Sequence, residues 1–128
     1  MRRRIALSVL TLLLLAPSLA TAKDRVCRTD PLLVGPCFSL RGVLFAANGA
    51  PTFRIQRTGT KRILGIRDSE DPVMPEDLHA RLFETGNAFG VRVSADYLVC
   101  PYTRGRAGRM QFVCIESASH MAVTREAR

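Results

Sequence analysis

The sequence has no Cys-x-x-Cys pair, no glycine-rich phosphate loop opening a helix, and no second apolar run long enough to span a bilayer. These absences exclude a dithiol redox enzyme, a P-loop or dinucleotide-binding domain and a multi-span membrane protein. Histidine is scarce: His79 and His120 are the two in the chain, and neither has an evident catalytic partner in sequence. An enzyme needs a nucleophile, a base or a metal gathered in a cleft. The adjacent acids Glu76 and Asp77 point apart on a helix and serve its first turn instead. With 128 residues there is room for one domain. The expectation is a non-enzymatic domain with no catalytic residue, no metal site and no cofactor.

Residues 1–22 differ from the rest. Arg2, Arg3 and Arg4 form a basic head, Ile5 to Leu15 is apolar apart from Ser8 and Thr11, Pro17 ends any helix, and Ala20-Thr21-Ala22 is a small-x-small triplet. This is the layout of a secretory signal peptide. The apolar run is short for an uncleaved anchor, at about 15 residues against roughly 20. Cleavage after Ala22 leaves a mature domain of residues 23–128, with no stable membrane anchor and a periplasmic or secreted location. Without the leader arginines the net charge falls from +8 to +5. That excess favours anionic partners.

Four cysteines remain: Cys27, Cys37, Cys100 and Cys114. An even count in a small exported chain points to disulfides. Zinc sites bring their ligands in close pairs, and the wide spacings here do not. Three connectivities are possible. Cys27–Cys37 with Cys100–Cys114 is favoured, because the last two lie symmetrically about Ala107 and would meet across a hairpin.

The strand signals are periodic. Phe38 to Ala46 places Phe38, Leu40, Gly42, Leu44 and Ala46 on one face, and Asn48-Gly49 is a strong hairpin turn. Thr52 to Arg57 alternates cleanly. A two-residue turn sets Leu44 against Phe53 and Gly42 against Ile55. A further turn at Thr58–Lys61 leads into Arg62–Arg67, with Ile55 against Leu64 and Phe53 against Ile66. All three strands then share one apolar face, as register demands. Asp68-Ser69-Glu70-Asp71-Pro72 reads as a solvated loop, since it lacks the ligand alternation of a calcium loop. Pro75-Glu76-Asp77 starts a helix that buries Leu78 and Leu82 and closes at Gly86 or Asn87. Phe89 to Cys100 is a fourth strand, bent near Ser94 to Asp96. Met110 to Glu116 is a fifth, extending toward Val123, and Thr124 to Arg128 is expected to fray.

Three strands, a helix and two strands follow one another in the order of the OB-fold, a five-stranded Greek-key barrel. The fold class expected is therefore mainly β: a five-stranded OB-like barrel with one helix between strands 3 and 4. The stretches C-F-S-L-R-G-V-L, N-G-A-P-T-F-R-I, G-T-K-R-I-L-G-I, P-E-D-L, V-C-P-Y-T and M-Q-F-V-C-I-E-S-A also resemble a group of small exported bacterial proteins of unassigned function. That resemblance implies a location and no activity.

OB-folds bind ligands on the strand 2–3 surface and the loops joining strands 1–2 and 4–5. The candidate ligand-binding residues here are Arg41, Arg54 and Arg67 on that face, near Gln56 and Phe45, and Tyr102, Arg104, Arg106 and Arg109 in the loop. Arginine forks suit phosphates and carboxylates, and an aromatic neighbour can stack on a ring. The expected partner is an envelope glycan, another anionic polymer or an acidic protein surface, bound by a monomer. Nucleic acid ranks lower, because an exported protein meets little of it. The alternative function is a protein-binding or inhibitory module of the cell envelope, docking through an outer patch of Val43, Phe45 and Ile63. Thiol titration of the native mature protein should find no free thiol; four reactive thiols would overturn the disulfide assignment.

Overall fold

A computed structural model of the chain describes residues 27–67 and 72–126. The leader, its cleavage site and residues 68–71 of the acidic loop lie outside the described residues. The elements follow the expected order: β1 (Phe38–Ala46), β2 (Phe53–Arg57), β3 (Ile63–Ile66), α1 (Glu76–Leu82), β4 (Val91–Pro101) and β5 (Gln111–Arg125). The five strands close into a ring in the order β1-β2-β3-β5-β4, with β1 returning against β4. The β3–β5 contact is parallel, and the other four contacts are antiparallel.

The alternation read from the sequence sorts the side chains. Leu40, Leu44, Phe53, Ile55, Leu64 and Ile66 are buried, and Val93, Tyr97, Val99, Val113 and Ile115 meet them from β4 and β5. Gly42 also faces inward. A Cβ there would lie 2.6 Å from Ile55 Cγ2 and 2.9 Å from the Gln56 carbonyl, so β1 can approach β2 this closely only with glycine. Helix α1 adds Leu78 and Leu82, one turn apart on a single stripe, to the same core. It ends at Leu82, and Gly86 completes the turn with φ +83° and an N–H donated to the Phe83 carbonyl.

The first hairpin corrects the expected register. Leu44 sits opposite Ile55 and Ala46 opposite Phe53. The connection is a wider loop, closed by the Ala47 N–H donating to the Thr52 carbonyl at 2.8 Å. Pro51 is the reason. A turn of two residues would place it in the ladder opposite Ala46, and proline has no N–H to donate there. The displacement is two residues, an even number, so the same side chains stay inside. Between β2 and β3 the expected pairing of Ile55 with Leu64 is present.

The disulfide pairing is also corrected. Cys27 is bonded to Cys114, and Cys37 to Cys100. Cys100 and Cys114 are indeed cross-strand partners in the β4–β5 hairpin. However, β1 lies along the other edge of β4 with Phe38 opposite Val99, which delivers Cys37 to Cys100. Cys27, in a 3-10 turn over residues Cys27–Thr29, then takes Cys114. The bonds close separations of 87 and 63 residues. Loop-closure entropy makes each worth about 4–5 kcal/mol against the unfolded chain. Two such bonds fit a non-reducing compartment.

Residues 124–126, expected to fray, are held in place. Thr124 and Arg125 pair with Arg92 and Val91 in the ladder, and the Glu126 N–H donates to the Gly90 carbonyl. β4 is irregular between Ser94 and Asp96, where the sequence reading placed a bend.

Two outcomes test this account. Trypsin digestion without reduction should join the peptide 26–28 to 110–125, and 29–41 to 93–104. A 26–28 to 29–41 link would restore the pairing read from sequence. Tyr97 is buried and donates its hydroxyl to the Val93 carbonyl at 2.6 Å. Burial holds its phenol well above the ordinary tyrosine range. The unfolded chain therefore loses this proton first, so the contribution is complete below roughly pH 10 and declines as pH rises further. Urea midpoints should fall on going from roughly pH 8 to pH 11, and Tyr97→Phe should make that fall shallower.

Candidate functional site: the β4–β5 hairpin

Residues 102–110 connect β4 to β5 as an ordered hairpin extension. The Tyr102 N–H donates to the Phe112 carbonyl at 2.8 Å, and the Phe112 N–H donates to Thr103 Oγ1 at 2.8 Å. Gln111 is buried and reaches both ways: its Nε2 donates to the Thr103 carbonyl at 3.0 Å, and its Oε1 accepts from Arg62 Nη2 at 3.2 Å. Arg62 precedes β3, and the parallel pairing of Leu64 with Gln111 brings it here. At the tip Arg106 and Arg109 form a bridge around Ala107-Gly108, with Gly108 at φ +73°. That conformation suits glycine and costs other residues.

The hairpin borders an open hollow of about 400 Å³ lined by Thr103, Arg104, Arg106, Arg109, Met110 and Phe112. All three arginines are exposed, and none has an ion-pair partner among the described residues. Arginine stays charged at any physiological pH. Three guanidinium groups around one hollow repel one another, and a bound anion relieves that repulsion.

The other candidates are engaged elsewhere. Arg41 lies 3.3 Å from Asp96 on β4, and Asp96 also meets His120 Nδ1 at 3.0 Å. Arg54 clasps its own hairpin loop, donating to the carbonyls of Pro51 at 3.0 Å and Asn48 at 3.4 Å. Arg67 stacks on the Tyr102 ring at 4.4 Å, and the Tyr102 hydroxyl donates to Asp30 Oδ2 at 2.6 Å. The seven residues therefore separate into a loop triad, an Arg67–Tyr102 pair, and two arginines with partners of their own. His79 stacks on Phe83 with ring centroids 4.5 Å apart. The outer-face residues Val43, Phe45 and Ile63 are each half-buried.

The sequence reading missed Arg62, Thr103, Gln111, Met110 and Phe112. Alternation gave no outward signal for Met110 and Phe112, because apolar residues occupy both phases of Met110 to Ile115 and Cys114, in their own phase, is buried. No sequence signal placed Arg62 beside Gln111, because parallel pairing across 49 positions has no local signature.

A second hollow of about 330 Å³ is lined by Phe45, Asn48, Phe89, Arg92 and Glu126 among others. Its arginine sits 5.3 Å over the Phe45 ring and 3.7 Å from Glu126. The charge there is already answered, unlike that of the hairpin triad. Neither protein-family models, nor curated proteins, nor solved structures provide a match to the chain.

Proposed function

We propose that this chain is an exported, non-enzymatic binding module with an OB-like barrel, and that it takes anionic ligands at the β4–β5 hairpin. The strand order β1-β2-β3-β5-β4, the parallel β3–β5 contact and the helix between β3 and β4 support the OB-like reading. The two disulfides and the signal-like leader support export to the periplasm or beyond. The observation that carries the function is the hollow ringed by Arg104, Arg106 and Arg109 with no acidic partner among the described residues. The partner classes are envelope glycans, other polyanions and acidic protein surfaces, met by a monomer.

The site lies on the hairpin, and Arg41 and Arg54 are not part of it. Retention of the mature protein on heparin resin should be lost when Arg104, Arg106 and Arg109 are replaced by Ala together. It should persist in the Arg41→Ala and Arg54→Ala variants. Retention by native protein should weaken steadily as salt rises from about 0.05 to 0.5 M, since exposed charges are screened over a Debye length. Undiminished retention of the triple variant would sink the assignment.

A further inference from the structure

We propose that the hairpin hollow is built for amphiphilic anions: a phosphate, sulfate or carboxylate carried on an apolar or planar body. The inference rests on the anion-site reading and narrows its ligand from polyanions in general.

Met110 and Phe112 line the hollow, and both are half-buried. Gln111 and Val113, their chain neighbours, are buried on the inner side. Period-two alternation therefore turns Met110 and Phe112 outward, into the hollow that the arginines also line. Their seat is made by Gly65, the register partner of Phe112 on β3. A Cβ at Gly65 would lie 2.7 Å from Met110 Sδ, 2.7 Å from Pro51 Cγ and 3.2 Å from Phe112 Cδ1. The two side chains thus lie down on bare backbone, with Pro51 of the β1–β2 loop beside them. Gly65 supplies the depth, and the Thr103–Gln111–Arg62 chain of hydrogen bonds holds the base of the hairpin.

A bare polyanion would satisfy the guanidinium groups and leave Met110 and Phe112 wet. A neutral apolar molecule would cover the floor and leave three like charges unanswered. A molecule with both parts answers both, and arginine additionally stacks on planar faces. The volume of about 400 Å³ falls within the range of small-molecule sites, which are commonly apolar hollows with a few oriented polar groups. The ligand can be a free organic phosphate or the headgroup region of an anionic lipid, which share this chemistry.

The test titrates the disulfide-bonded mature protein with 1-naphthyl phosphate, inorganic phosphate and 1-naphthol. Naphthyl phosphate should bind at least about tenfold more tightly than either of the others, the gain expected from covering a ring-sized apolar area. Phe112→Ser should bring it down to the level of inorganic phosphate without changing the latter. If that variant does not fold, Met110→Ser provides the same comparison. A Gly65→Ala variant should also lower the naphthyl preference by lifting the floor. Co-sedimentation with phosphatidylglycerol vesicles separates the sources: Phe112-dependent sedimentation assigns the lipid, and naphthyl phosphate binding without it assigns a free ligand. Equal affinity for naphthyl and inorganic phosphate, with both lost in the triple arginine variant, would overturn the amphiphile inference and leave the anion site standing. Loss of heparin retention in no arginine variant would remove the anion site itself.

Discussion

The parallel contact between β3 and β5 is the interaction on which the rest depends. Without it, β3 and β5 would be open edges, each presenting unpaired N–H and carbonyl groups. With it, the sheet closes and Leu64, Ile66 and Val113 become interior side chains. The same contact sets Gly65 against Phe112 and brings Arg62 to Gln111. Ring closure and the architecture of the hairpin hollow are one event. The contact is short, with three register pairs, so hydrophobic burial on its inner side has to hold it.

The two disulfides act at a different point of the ring. Both converge on the β4–β5 hairpin, one from the N-terminal turn and one from the start of β1. Around them Leu33, Val73 and Tyr102 form a second small apolar cluster. The N-terminal segment is further tied by the Val34 N–H donating to the Pro101 carbonyl and the Arg28 N–H donating to Glu116. The base of the hairpin is thus cross-linked while its tip projects into solvent. That division places the exposed arginines on a fixed support, which lowers the ordering cost of the proposed binding.

The arginines of this protein are not equivalent, and the net charge hides the difference. Arg41 belongs to a surface group with Asp96 and His120, Arg54 closes a loop, Arg62 braces Gln111, and Arg67 covers Tyr102. Only after these are set aside does the hairpin triad stand out. An exposed ion pair contributes little to stability, commonly under about 1 kcal/mol. Of these four, Arg41 is the one with a carboxylate partner among the described residues; the others keep their charge and differ from the triad in being held by backbone, amide or ring contacts.

The amino-acid sequence alone carried the strands, the helix and the inner face, because alternation and turn residues are local and survive a register error of two. It also carried the exposed arginine loop, since glycine and arginine interleaved between two strands have few other places to go. The register of the first hairpin is set by Pro51, which cannot enter a ladder, and not by the Asn48-Gly49 turn signal. The cysteine pairing escaped the sequence because spacing within one hairpin says nothing of the strand on its far side. Which arginines find partners on other strands, and that Gly65 seats Phe112 and Met110 in the same hollow as the triad, was decided by the tertiary structure. Those are contacts between residues tens of positions apart, and their energies exist only once the chain has folded back on itself.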